Sequence, residues 1–70
     1  MSNFIIVYRL DNGFDITEEK KAYSMSRIEE YAHKNVDGMK RIIDRDGCYQ
    51  MFDANSITCV SVLRTDGSIE

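Results

Sequence analysis

The fold predicted for this 70-residue chain is a small two-layer α+β domain, in which an antiparallel sheet of four or five strands carries one helix packed across one face. Two observations lead there. Asp11-Asn12-Gly13, Arg45-Asp46-Gly47 and Thr65-Asp66-Gly67 each follow an apolar run, and Gly at such points supplies the positive φ of a tight reversal. Between them, one stretch beginning at Arg27 carries apolar residues at helical spacing. The expected chain order is β-β-α-β-β-β within one domain spanning residues 1–70.

Phe4 to Leu10 is apolar on both alternations apart from Arg9, the pattern of a central strand covered on two sides. Two loops compete for the hairpin that follows. A two-residue Asn12-Gly13 loop sets Leu10 opposite Asp15 and Arg9 opposite Ile16. A three-residue loop sets Leu10 opposite Phe14, Arg9 opposite Asp15 and Tyr8 opposite Ile16, matching apolar with apolar and charge with countercharge, and is preferred.

Residues 17–25 read either as a solvated edge strand guarded by Glu18, Glu19, Lys20 and Lys21, or as a helix capped by Thr17. Strand to about Tyr23 is preferred, because Ser26-Arg27-Ile28-Glu29 has the capping-box spacing and starts a helix there. Ile28, Tyr31, Ala32 and then Asn35 or Val36 form the apolar stripe, and Asp37-Gly38 is expected to end it with Gly38 in the left-handed position. Met39–Asp44, Cys48–Asp53 and Ile57–Arg64 complete the sheet. Asp44-Arg45-Asp46-Gly47 has the type I turn pattern, Asp53-Ala54-Asn55-Ser56 supplies the next reversal, and Ser68-Ile69-Glu70 is a stub or a sixth strand fragment completed by another chain.

Nine Lys and Arg against twelve Asp and Glu leave a net charge of −3, mixed along the chain, which disfavours nonspecific nucleic-acid binding. Met1-Ser2-Asn3 runs into Phe4 without a basic start or cleavage site, and no run approaches the roughly 18 apolar residues of a membrane span. The expectation is a cytoplasmic protein with no membrane association and with reduced Cys48 and Cys59 behaving as small hydrophobes within strands. A chain this short buries only about 60% of its unfolded surface, so self-association as a homo-oligomer is expected.

No residue pattern points to catalysis, and no cofactor is expected. The lone His33 reads as a surface residue near a helix C-terminus, and the cysteines lack an electropositive setting for a thiolate. Asp44, Asp46 and Asp53, or Asp11 and Asp15, fail calcium-loop spacing and read as turn residues; Cys48, Cys59 and His33 cannot make an ordinary zinc site. Two surfaces remain. Lys40, Arg41 and Arg45 are able to hold an anionic ligand such as a nucleotide while Tyr8 or Tyr49 stacks on its base. Tyr23 and Tyr31 are candidates for contact with a protein partner, with Met25, Met39 and Met51 as adaptable area.

The leading expectation is a non-enzymatic binding module acting on a protein partner as adaptor, regulator or inhibitor. The alternative is a homo-oligomer that binds the anionic ligand at a subunit interface. A third reading, a single-strand nucleic-acid binder stacking bases on Tyr49 and Phe52, is disfavoured by the acidic balance.

Overall fold

The computed structural model describes residues 2–65. The elements are β1 (Ser2–Leu10), β2 (Asp15–Ala22), α1 (Met25–His33), β3 (Met39–Ile43), β4 (Tyr49–Asp53), a 3-10 turn (Ala54–Ser56) and β5 (Ile57–Arg64). Their order and kind agree with the sequence expectation. All strand pairs are antiparallel.

One sheet of four or five strands does not form. The strands divide into a three-stranded sheet, ordered β2-β1-β5, and a separate β3-β4 pair. The 3-10 turn breaks the path from β4 to β5, its first residue Ala54 donating to Gly38 O at 2.8 Å and its last, Ser56, accepting from Asp11 N at 2.8 Å. The β3-β4 pair therefore packs a face, not an edge, against the rest. Its inward Ile42 and Phe52 join Phe4, Ile6, Tyr8, Ile28 and Ala32 in the core. Phe52 meets Tyr8 at 5.7 Å between ring centroids, tilted at 57°.

The first hairpin adopts the three-residue loop. Arg9 lies opposite Asp15 and Tyr8 opposite Ile16, Leu10 N donates to Phe14 O at 2.9 Å, and Gly13 has φ 89°. Arg9 and Asp15 form the anticipated ion pair, Nε to Oδ1 at 3.0 Å. β1 is central, yet only its Phe4, Ile6 and Tyr8 alternation is buried. Ile5 and Val7 on the other face are half-buried, so the expected second cover is missing among the described residues.

Helix α1 starts earlier than the capping-box reading placed it. Ser24, extended at φ −155° and ψ 163°, is the N-cap, and its Oγ accepts from Arg27 N at 3.4 Å. Ser26 lies inside the helix instead. The helix also ends earlier, at His33, and Gly38 serves a different reversal. Asp37 (φ 54°) and Gly38 (φ 77°) are the two central residues of a tight turn closed by reciprocal Val36–Met39 hydrogen bonds of 2.9 Å. Two successive positive φ values are what a two-residue hairpin of matching twist requires.

The turn at Asp44–Gly47 is as predicted, with Gly47 N donating to Asp44 O at 3.0 Å. Cys48 and Cys59 are both exposed and are not core residues; Cys48 falls in the turn before β4 and Cys59 at an outward position of β5. Asp66-Gly67 and Ser68–Glu70 lie outside the described residues.

The cap assignment is tested by paired substitutions. Ser24→Ala should cost about 1 kcal/mol, while Ser26→Ala, at an exposed helix-interior position, should change stability by less than about 0.5 kcal/mol. Urea unfolding of the two variants measures the difference.

Candidate functional site

The strongest departure from a simple apolar core is a buried polar cluster. The alternation Ile16, Glu18, Lys20, Ala22 on β2 shares a face with the buried residues of β1, so Glu18 points inward and is 5% exposed. On β3 the alternation Lys40, Ile42 does the same, and Lys40 is 4% exposed. Each has found partners. Tyr8 OH donates to Glu18 Oε1 at 3.1 Å, and Tyr31 OH donates to Glu18 Oε2. Lys40 Nζ donates to the carbonyls of Tyr31 (3.1 Å), Ala32 (2.9 Å) and Lys34 (2.7 Å).

Ala32 O is one of the acceptors that a helix C-terminus leaves without an intrahelical partner, Tyr31 O also accepts from Lys34 N at 3.1 Å, and Lys34 is the C-cap itself, where the dipole also favours a cation. Lys40 thus closes α1 from a neighbouring strand. Its Nζ stands 5.3 Å from the Tyr8 ring centroid and 5.1 Å from that of Tyr31, and Lys20 Nζ covers Tyr31 at 4.7 Å. Burial lowers the Lys40 affinity for its proton, while the neighbouring Glu18 charge acts in the opposite sense. Burial raises the Tyr8 and Tyr31 phenols well above their ordinary value, and the Glu18 carboxyl that they bond reinforces the rise. No buried side-chain polar atom among the described residues lacks a hydrogen-bond partner.

The sequence-selected residues divide between this interior and two surfaces. Tyr8 and Lys40 belong to the core, and Tyr31 is half-buried beside them. Tyr23 is exposed just before α1. Arg41 and Tyr49 share the outer face of the β3-β4 pair, where Arg41 lies opposite Met51 and Ile43 opposite Tyr49. Ile43, Tyr49 and Met51 are 59%, 60% and 55% exposed, a contiguous apolar patch that the sequence reading reached only at Tyr49 and Met51. Its signal was the period-two alternation Met39, Arg41, Ile43, which sets Ile43 opposite to buried Ile42.

Arg45 stands apart at the β3-β4 turn. Its Nε meets Glu19 Oε2 at 2.7 Å and its backbone N donates to Thr17 O at 3.0 Å, so the turn is tied to the outer edge of β2. Beside it Asp44 accepts from Gln50 Nε2, Cys48 N and Asp46 N at 2.9, 2.9 and 3.0 Å. The Gln50 bond, followed by the Cys48 amide, holds its carboxyl below the usual carboxylate range.

A groove of about 830 Å³ runs between α1 and β5, bordered by Met25, His33, Ile57, Val60 and Val62. Cys59 also borders it, its Sγ lying 4.0 Å from Ser61 Oγ. Among the described residues, no three His, Cys, Asp or Glu side chains gather to hold a metal ion, and no helix is long and apolar enough to cross a membrane. No protein-family model, curated protein or solved structure matches this chain.

The buried phenols make stability fall at alkaline pH. A group whose folded affinity for its proton is raised contributes fully below its unfolded value, here 10.0, and loses that contribution as pH rises toward the folded value. Lys40, with its lowered affinity, acts oppositely as pH climbs toward 10.5, so the net loss is expected above that point. Spectrophotometric titration should show two phenolates appearing only as the fold is lost, and Tyr8→Phe with Tyr31→Phe should remove that fraction. Ionisation of all four tyrosines with the circular dichroism unchanged would contradict the cluster.

Proposed function

We propose that this chain is a non-enzymatic binding module that docks a protein partner on the outer face of the β3-β4 pair. The observation that carries this reading is the patch of Ile43, Tyr49 and Met51, with Arg41 at its side, on a face that no described element covers. Interface centres are enriched in Tyr, Met and Arg, since these supply large contact areas with a polar handle. The hairpin presenting them is held rigidly. Its inner face is locked by Ile42, Phe52 and the Lys40 bonds to α1, and its turn by Arg45 on β2. A preorganised surface loses little freedom on binding, which favours affinity. The roles of adaptor, regulator and inhibitor are all compatible with such a face.

A second reading is supported by Arg41 and Tyr49 sharing that face: an anionic ligand, such as a nucleotide, held by the guanidinium with its base on the phenol ring. Lys40 is committed to α1 and Arg45 to Glu19, which leaves Arg41 to meet the anion. The single-strand nucleic-acid reading loses its platform, because Phe52 faces Tyr8 in the core on the side of β4 opposite to Tyr49.

The two readings separate on one pair of measurements. Capture of partners from the native host should retain a protein with the wild type and lose it, by about tenfold or more, with Ile43→Asp/Tyr49→Asp. A nucleotide panel should leave the melting temperature unchanged; a ligand at 100 times its Kd would instead add about 2.7 kcal/mol.

A further inference from the structure

We propose that β5 pairs antiparallel with β5 of a second copy of this chain, joining two three-stranded sheets edge to edge about a two-fold axis through Ser61. β5 is an edge strand, bonded to β1 on one side only among the described elements. The two edges of the sheet are built differently. β2 carries Asp15, Glu18, Glu19, Lys20 and Lys21 among its eight residues, with Glu18 aimed inward, and its rim is further tied to the Arg45 turn. Charges on an edge and an inward-pointing charge are devices by which proteins discourage strand addition. From Ile57 to Leu63, β5 has none: Ile-Thr-Cys-Val-Ser-Val-Leu is uncharged and rich in β-branched residues.

The register follows from the bonds to β1. Thr65 N donates to Asn3 O at 2.9 Å, so odd positions of β5 turn their backbone groups toward β1 and even positions turn theirs outward. Val60 and Val62 therefore offer N–H and C=O at the rim. A two-fold axis at Ser61 sets Val60 opposite Val62 of the other copy, as a hydrogen-bonded pair, and does so twice. Cys59 then faces Leu63 on the outer side, and Ser61 faces Ser61 as a non-hydrogen-bonded pair. A two-fold at Val60 would instead oppose Thr58 to Val62 and is the poorer match.

Charge also selects this partner. An acidic chain meeting its own copy gains from a seam without like charges, and β5 is that seam over Ile57–Leu63. The valines border the groove beside α1, so pairing brings the grooves of both copies together and extends the apolar floor between the two helices. This surface is separate from the Ile43–Tyr49–Met51 patch. Standard interfaces engage about 20–30 residues a side, more than β5 and its groove supply, so association of micromolar strength is expected.

The 70-residue chain should sediment at about 100 µM with twice the 8.1 kDa mass of one copy, dissociating on dilution. Ser61→Lys, a change at an exposed position, should return it to the monomer with the circular dichroism unchanged, because two ammonium groups then meet at the axis. In a Cys48→Ser/Cys59→Ser background, Ser61→Cys should form a disulfide-linked dimer on mild oxidation, since non-hydrogen-bonded antiparallel pairs stand about 4.5 Å apart at Cα, within disulfide reach. Cys48→Ser alone should not, as Cys59 then faces Leu63. A monomer at that concentration, a dimer indifferent to Ser61→Lys, or cross-linking through Cys59 and not through Ser61→Cys would overturn the proposal. So would a monomeric protein whose edge captures only a different chain. Retention of the host partner by Ser61→Lys, with its loss in Ile43→Asp/Tyr49→Asp, tells failure of this inference from failure of the docking face.

Discussion

Two inward-pointing charged side chains hold the layers of this molecule together. Glu18 of β2 receives Tyr8 from β1 and Tyr31 from α1, and Lys40 of β3 reaches the last carbonyls of α1. Every layer is thereby bonded to another through a group that cannot be left unpaired. Removing one partner from such a site costs far more than the pair contributes when complete, because a buried charge then stands without compensation. The arrangement consequently defines geometry more than it adds stability. With Lys40 seated on α1, Ile42 and Phe52 must face the core, and the alternation of β3 and β4 sends Arg41, Ile43, Tyr49 and Met51 outward.

Local features were legible in the residues. The Arg9–Asp15 pairing selected the three-residue loop, and Asp44 with Gly47 declared its turn, because each depends on neighbours close along the chain. The division of the sheet was not legible, since whether β4 continues into β5 or breaks at a 3-10 turn depends on how Ala54 and Ser56 meet Gly38 and Asp11. Nor was the polar cluster. Glu18 and Lys40 resemble solvated edge charges in sequence, and their partners Tyr8, Tyr31 and the helix end sit on other elements, so only the packing of those elements brings them together. The alternation Ile16-Glu18 and Lys40-Ile42 was the available sign that both sit on core-facing positions.

That same cluster explains why four tyrosines divide as they do. Tyr8 and Tyr31 serve a buried carboxyl, whereas Tyr23 and Tyr49 face solvent. A count of aromatic residues cannot separate those duties, because a phenol suits both a wet contact and a buried acceptor. The outer patch and the uncharged β5 rim are what a thin domain leaves over once, among the described elements, α1 and the β3-β4 hairpin cover a single face of the sheet.

The most direct test of the account is native-state hydrogen exchange on Lys40→Met, which keeps the unbranched apolar stem, one atom shorter, but donates nothing to α1. The last turn of α1 and the β3-β4 amides should lose protection together, by roughly a hundredfold or more, equivalent to about 3 kcal/mol. Protection in both elements equal to that of the wild type would contradict the claim that this one ammonium couples them.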